Sequence, residues 1–172
     1  MTTYQKNIVL VGMPGSGKST LGVLLAKELG LEFVDTDLLI QVREGQTLQE
    51  ILDQNDYLFL RAVEESVLLE VDCAEPKKVI ATGGSAVYSD SGMRYLKQHS
   101  VVIYLNVGIE ELRRRIHNYD ARGIARRPDQ SFESLLEERD ALYKKYADIT
   151  LTAETLMPSE CVDRLIQLIS NV

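Results

Sequence analysis

Short apolar runs alternate along this chain with longer amphipathic stretches, and the two periods predict two kinds of element. Runs rich in β-branched residues and bounded by turn formers predict strands at 8–11, 32–35, 78–81, 101–105 and 149–151. Between them, apolar residues recur at three- and four-residue spacing. Leu21, Leu24, Leu25, Ala26 and Leu29 predict a helix that stops at Gly30. Thr47-Leu48-Gln49-Glu50 has the form of a capping box, with Thr47 as N-cap and Glu50 reaching back, so a helix opens there. Leu58, Val63, Val67 and Leu68 supply the stripe of a longer helix over 58–71, and further helices fit 91–98, 109–116, 132–146 and 159–169. Strands separated by helices imply an α/β fold, a parallel sheet covered by helices. With 172 residues, no Pro- or Ser-rich linker and no internal repeat, the chain is expected to form a single domain over 1–172.

The first strand runs into Gly12-Met13-Pro14-Gly15-Ser16-Gly17-Lys18-Ser19-Thr20, which meets the spacing of a phosphate-binding P-loop. Gly12, Gly15 and Gly17 allow a tight turn that brings backbone N–H groups up to phosphate oxygens. Lys18 would place a positive charge on the β- and γ-phosphates, and the Ser19 hydroxyl would ligate Mg²⁺. The helix that starts here would aim its positive dipole end at the same phosphates, with Ser16 and Thr20 in the cradle. A nucleoside triphosphate with Mg²⁺ is the expected ligand.

Composition narrows the partners. The formal net charge is −7 and no basic stripe offsets it, which argues against nucleic acid or an anionic membrane surface. Arginines do gather between Arg113 and Arg139, so a locally positive field is expected there. Cys73 and Cys161 lie far apart and in no metal-ligand spacing, as reduced thiols of a cytoplasmic protein would. His99 and His117 are isolated, and each reads as a surface or partly packed side chain. The polar stretch from Met1 to Lys6 and the absence of any apolar run of spanning length point the same way, and a monomer is expected.

Residues 118–130 are polar and aperiodic, with Gly123, Pro128 and the arginines Arg122, Arg126 and Arg127. A basic segment of that length in a phosphate-binding protein is expected to be a lid that neutralises phosphate charge as it closes. The second strand ends in Asp35-Thr36-Asp37, at the sheet edge where open α/β folds bind ligands. Strand alternation would point Asp35 and Asp37 the same way, one supporting hydrated Mg²⁺ and the other a hydroxyl acceptor. The alternative is an acidic first turn of a helix running into Leu38-Leu39-Ile40. Arg61 reads alone as a surface arginine paired with Glu64 or Glu65, Gly83-Gly84 as a tight turn, and Arg139 as half of an intrahelical ion pair.

Taken in order, these residues resemble the shikimate kinase family: the loop 12–20, Phe33-Val34-Asp35-Thr36-Asp37, Phe59 to Glu64, Ile80 to Gly84, Arg127-Pro128, Glu138-Arg139 with Leu142-Tyr143, and Tyr146-Ala147-Asp148. The resemblance implies a three-layer α/β/α fold of the P-loop NTPases, with a five-stranded parallel sheet of nucleoside-monophosphate-kinase type and a lid. It implies Mg²⁺-dependent transfer of the γ-phosphoryl of ATP to the 3-hydroxyl of shikimate, in aromatic amino acid biosynthesis. Carried over by motif, Asp37 would bind ring hydroxyls and assist deprotonation, and Arg61 and Arg139 would clamp the carboxylate. Gly83 and Gly84 would donate backbone N–H groups, Arg127 would meet the transferring phosphoryl and ATP, and Asp35 would stand near Mg²⁺. The chain departs from the family pattern at Ser85, where a third glycine is usual, and at Asp129-Gln130, where two apolar residues usually follow Arg-Pro. Gln41 and Asp140-Ala141 also differ. A family-like kinase of another hydroxylated carboxylate, a gluconate or nucleotide kinase, and an ATP-binding module without turnover are the competing readings.

Overall fold

The computed structural model describes residues 6–74, 77–117, 119, 122–154 and 156–172. Five parallel strands, β1 (Asn7–Val11), β2 (Glu32–Asp35), β3 (Lys78–Ala81), β4 (Ser100–Asn106) and β5 (Ile149–Thr152), form one sheet in the order β2-β3-β1-β4-β5. In register, Val9 lies opposite Ile80 on one side and Val102 on the other. Successive side chains of a strand point to opposite faces, and every residue of β1 and β3 is buried, so both faces of the sheet are covered. The edge strand β5 instead alternates, with Ile149 and Leu151 inward and Thr150 and Thr152 outward.

Eight helices among the described residues connect and cover these strands: α1 (Lys18–Leu29), α2 (Thr36–Glu44), α3 (Leu48–Gln54), α4 (Tyr57–Glu70), α5 (Asp90–His99), α6 (Ile109–Arg115), α7 (Phe132–Tyr146) and α8 (Pro158–Ile169). Their ends follow from local chemistry. Gly30 closes α1 in the left-handed conformation, the Thr47–Glu50 capping box opens α3, and Pro158 occupies the first turn of α8. Two apolar clusters result. The larger lines the sheet, while Ile40, Ile51, Leu60, Val67 and Ala125 form a separate small one between α2, α3, α4 and the segment before α7.

Strand alternation does not govern Asp35 and Asp37. The strand ends at Asp35, whose Oδ1 accepts from the N–H groups of Asp37 (3.0 Å) and Leu38 (3.3 Å), so Asp35 is the N-cap of α2 and Asp37 lies in its first turn. The expected positive field between Arg113 and Arg139 is also reduced. Arg113 faces Glu110 and Glu133, Arg114 and Arg115 both face Glu111, and Arg127 faces Glu138.

Candidate active site

A cavity of about 490 Å³ opens at the carboxyl ends of the strands. Its floor is the loop between β1 and α1. Gly12 and Gly17 hold φ values of 153° and 98° that side chains rarely adopt, and a Cβ on Gly12 would stand 2.8 Å from the Leu105 carbonyl oxygen. The loop thereby turns tightly enough to present the start of α1 to the cavity. Ser16 lines the cavity, buried with its hydroxyl unpartnered, as a donor kept for a ligand would be.

Lys18 is buried, and its Nζ donates to the carbonyls of Gly12 (2.7 Å) and Met13 (2.9 Å). Burial lowers its pKa to about 8, opposed by the charge of Asp37. Beside it the Ser19 hydroxyl donates to Asp35 Oδ2 at 2.7 Å. Two hard oxygen donors side by side at the mouth of the loop fit Mg²⁺, which keeps several waters and takes its other ligands from phosphate. Asp35 thus caps α2 through Oδ1 and accepts from Ser19 through Oδ2. Asp35→Ala is expected to lose about 1 kcal/mol of stability with the cap, whereas Asp35→Asn keeps the cap and shifts only the Mg²⁺ dependence. Thermal melts and Mg²⁺ titrations of the two variants would separate these roles, and equal Mg²⁺ dependence in all three proteins would remove Asp35 from the metal position.

Asp37 faces the cavity, and burial raises its pKa against the pull of Lys18. Glu64, on α4, stands close to it: a Cβ on Gly83 would run into both Glu64 Oε1 and Asp37 Oδ1. Burial first, then the Asp37 charge, raise the Glu64 pKa to about 7. The sequence singled out Glu64 only as an ion-pair partner of Arg61, yet it lines the cavity, is buried, and accepts a hydrogen bond from the Ser85 hydroxyl.

The arginines are not surface residues. Arg139 is 1% exposed, donates from Nη2 to the Ala125 carbonyl at 2.7 Å, and has a buried Nε without a partner. Arg61 has Nε and Nη2 buried and unpartnered. The guanidinium carbons of Arg61 and Arg139 lie 3.4 and 5.6 Å from the centre of the Tyr88 ring, so one aromatic side chain gathers both cations; Arg139 lines the cavity, whereas Arg61 is not part of its wall. Gly84 lines the cavity against Pro14 and Arg139, but the Gly83 N–H donates to Thr36 Oγ1 at 3.1 Å.

The segment before α7 roofs the cavity with Arg122, Gly123, Ile124 and Ala125, and Gly123 N–H donates to Gln49 of α3 at 2.8 Å. Residues 118, 120 and 121 of the expected lid lie outside the described residues. Arg127 is exposed and paired with Glu138 at 3.1 Å, away from the cavity wall. Arg115 and Arg122 line it instead. The departures after Pro128 are accommodated: Asp129 points to solvent, and Gln130 is buried and donates to Glu138.

The family model described as shikimate kinase matches residues 14–170. The chain belongs to the shikimate kinase family. A shikimate kinase of Pseudomonas putida is 37% identical over 169 residues, covering 95% of this chain and 98% of that one. Another, from Paracidovorax citrulli, is 37% identical over 153 residues, covering 87% of this chain and 84% of its own length. Among solved structures, shikimate kinase from Acinetobacter baumannii in complex with shikimate superposes with a TM-score of 0.89 at 32% identity, covering 98% of this chain and 95% of that one. Kinase family, five-stranded parallel α/β fold and ATP as the family's phosphate donor therefore stand together for this chain. No helix among the described residues is long and apolar enough to cross a membrane.

Proposed function

We propose that this chain transfers the γ-phosphoryl group of ATP to the 3-hydroxyl of shikimate. The observation that carries the reading is Arg139, which lines a cavity floored by a phosphate loop with its Nε buried and unpartnered, and beside the same Tyr88 ring Arg61, whose Nε and Nη2 are buried and unpartnered. A planar, forked cation with open donors matches a carboxylate, and two of them suit a small anionic acceptor whose hydroxyl must be aimed at ATP.

In this mechanism the loop N–H groups and Lys18 hold the triphosphate, and Lys18 stabilises the charge that spreads over the transferring oxygens. Ser19 and Asp35 would hold Mg²⁺, which would supply positive charge against the charge that develops on the phosphates. The arginines and the Gly84 backbone fix the acceptor, the Gly83 N–H being engaged by Thr36. Asp37, its pKa raised by burial, accepts the hydroxyl proton as the bond to phosphorus forms. Arg122, which lines the cavity, would meet the phosphates in this mechanism, and Arg127 would join them once the segment moves it off Glu138. A cytoplasmic location belongs to the same proposal, supported by the two free, buried thiols, and a monomeric state is proposed with it.

An ADP-release assay with shikimate, gluconate and hydroxy amino acids tests the reading. ADP release that depends on shikimate is expected. Turnover with another acid alone would reassign the acceptor, and nucleotide binding without acceptor-dependent release would make the chain a binding module.

A further inference from the structure

The stretch Thr47-Leu48-Gln49-Glu50 opens α3, and none of the chemistry described above uses it. Its capping box fixes the first turn of the helix: Glu50 N–H donates to Thr47 Oγ1 at 3.3 Å, and Thr47 N–H donates to Glu50 Oε2 at 2.7 Å. On that fixed turn Gln49 is half-buried and has a partner for each end of its amide. Its Nε2 donates to Asp53 Oδ1 at 2.7 Å, which turns Oε1 toward the roof of the cavity, where it accepts from Gly123 N–H at 2.8 Å.

The roof is shaped for this contact. Gly123 is buried with a φ of 66°, which side chains rarely adopt, and a Cβ there would stand 2.7 Å from Leu48 Cβ and 2.9 Å from Gln49 N. Only a glycine lets the backbone lie this close to α3. Two residues on, Ala125 joins the small apolar cluster, and its carbonyl accepts from Arg139 Nη2 at 2.7 Å. The N–H that Gln49 holds belongs to the peptide plane joining Arg122 to Gly123, so holding it also fixes the Cα of Arg122. Arg122 lines the cavity, and its charge bears on both Lys18 and Asp37.

We propose that Gln49 is a positioning residue for phosphoryl transfer: it clasps the Arg122–Gly123 peptide against α3 and thereby keeps the Arg122 guanidinium at the cavity. The role rests on the phosphotransfer reading, with Arg122 as the arginine that meets the phosphates. Gln49 is not part of the cavity wall and acts through Arg122. An arginine on an unclasped segment would have to be ordered in every turnover, whereas a clasped one is in place beforehand.

Steady-state kinetics and hydrogen exchange of the peptide covering 122–125 test this in the wild type, Gln49→Leu, Gly123→Ala, Arg122→Ala, Gln49→Leu/Arg122→Ala and Gln49→Glu/Asp53→Asn. Stranding the buried Gly123 N–H disfavours the clasped roof about tenfold, so Gln49→Leu is expected to lower kcat by about that factor and to speed exchange at 122–125. The shikimate KM should change little by comparison. Gly123→Ala, which adds a clash and backbone strain, should act in the same direction and more strongly. Gln49→Glu/Asp53→Asn keeps an acceptor for Gly123 and a donor at position 53, and should recover both kcat and slow exchange. In the Arg122→Ala background Gln49→Leu should cost nothing further, because the side chain it positions is gone. Wild-type kcat and exchange in Gln49→Leu would overturn the proposal, as would an undiminished loss in the Arg122→Ala background, which would make Gln49 merely structural. Absence of shikimate-dependent ADP release in the wild type would overturn the phosphotransfer reading and this proposal together.

Discussion

Lys18→Ala is expected to fold, to retain nucleotide binding, and to lose most phosphoryl transfer. The lysine is held within the loop by the Gly12 and Met13 carbonyls, so its charge is prepositioned and needs little reorganisation as the reaction proceeds. Removing one such preorganised donor typically lowers kcat by about 10²–10³-fold. Its titration supplies a second readout. Because burial lowers the pKa to about 8, the ammonium is partly deprotonated above that pH in the free protein. Triphosphate favours the charged form, so ATP binding above pH 8 takes up a proton, and affinity falls as pH rises. Calorimetry in buffers of different ionisation heat should show this uptake in the wild type and its absence in Lys18→Ala. A variant with near-wild-type kcat, or with undiminished proton uptake, would remove Lys18 from this role.

The second large effect is expected at Arg139. Truncating one partner of a buried, charged hydrogen-bonded contact costs about 2–5 kcal/mol, so Arg139→Ala should weaken acceptor binding at least about thirtyfold. ATP affinity should change less, since the guanidinium packs with Tyr88, Gly84 and Ala125 and reaches Lys18 only through its charge. Arg139→Lys keeps the charge but not the planar fork, and should recover only a small part of the loss. Parallel titrations with shikimate and with ATP check the split. Loss of ATP binding with shikimate binding intact would place Arg139 in the nucleotide half.

Much of this was legible in the sequence where the determinants are local. The phosphate loop, the Thr47–Glu50 box and the glycine stop at Gly30 act within a few residues of themselves, and each lies where its spacing predicts. Helix α2 was harder to read. Asp35 ends a strand and caps a helix at once, and Leu38, Leu39 and Val42 lie on exposed positions, so no inward stripe advertises the helix. Glu64 was hidden for a different reason. Its neighbours in sequence suggest a surface ion pair, while its burial and its serine partner come from a turn 21 residues away. The same holds for Gly83, whose N–H is claimed by Thr36 of α2, and for the choice between Arg122 and Arg127, which depends on where Glu138 sits.

The division of the apolar interior into a large cluster and a small one has a consequence for how the molecule breathes. Ile40, Ile51, Leu60, Val67 and Ala125 are few, and among the described residues they form the small buried cluster that ties α2, α3 and the roof segment to α4. Such a unit opens by sub-global unfolding well before the sheet does. Amides of α2 and α3 should therefore exchange with solvent deuterium at low denaturant, whereas those of β1 and β4 wait for global unfolding. Mild urea would then strip the protein of acceptor binding while the nucleotide half still holds ATP, and the two halves of the reaction would fail one after the other.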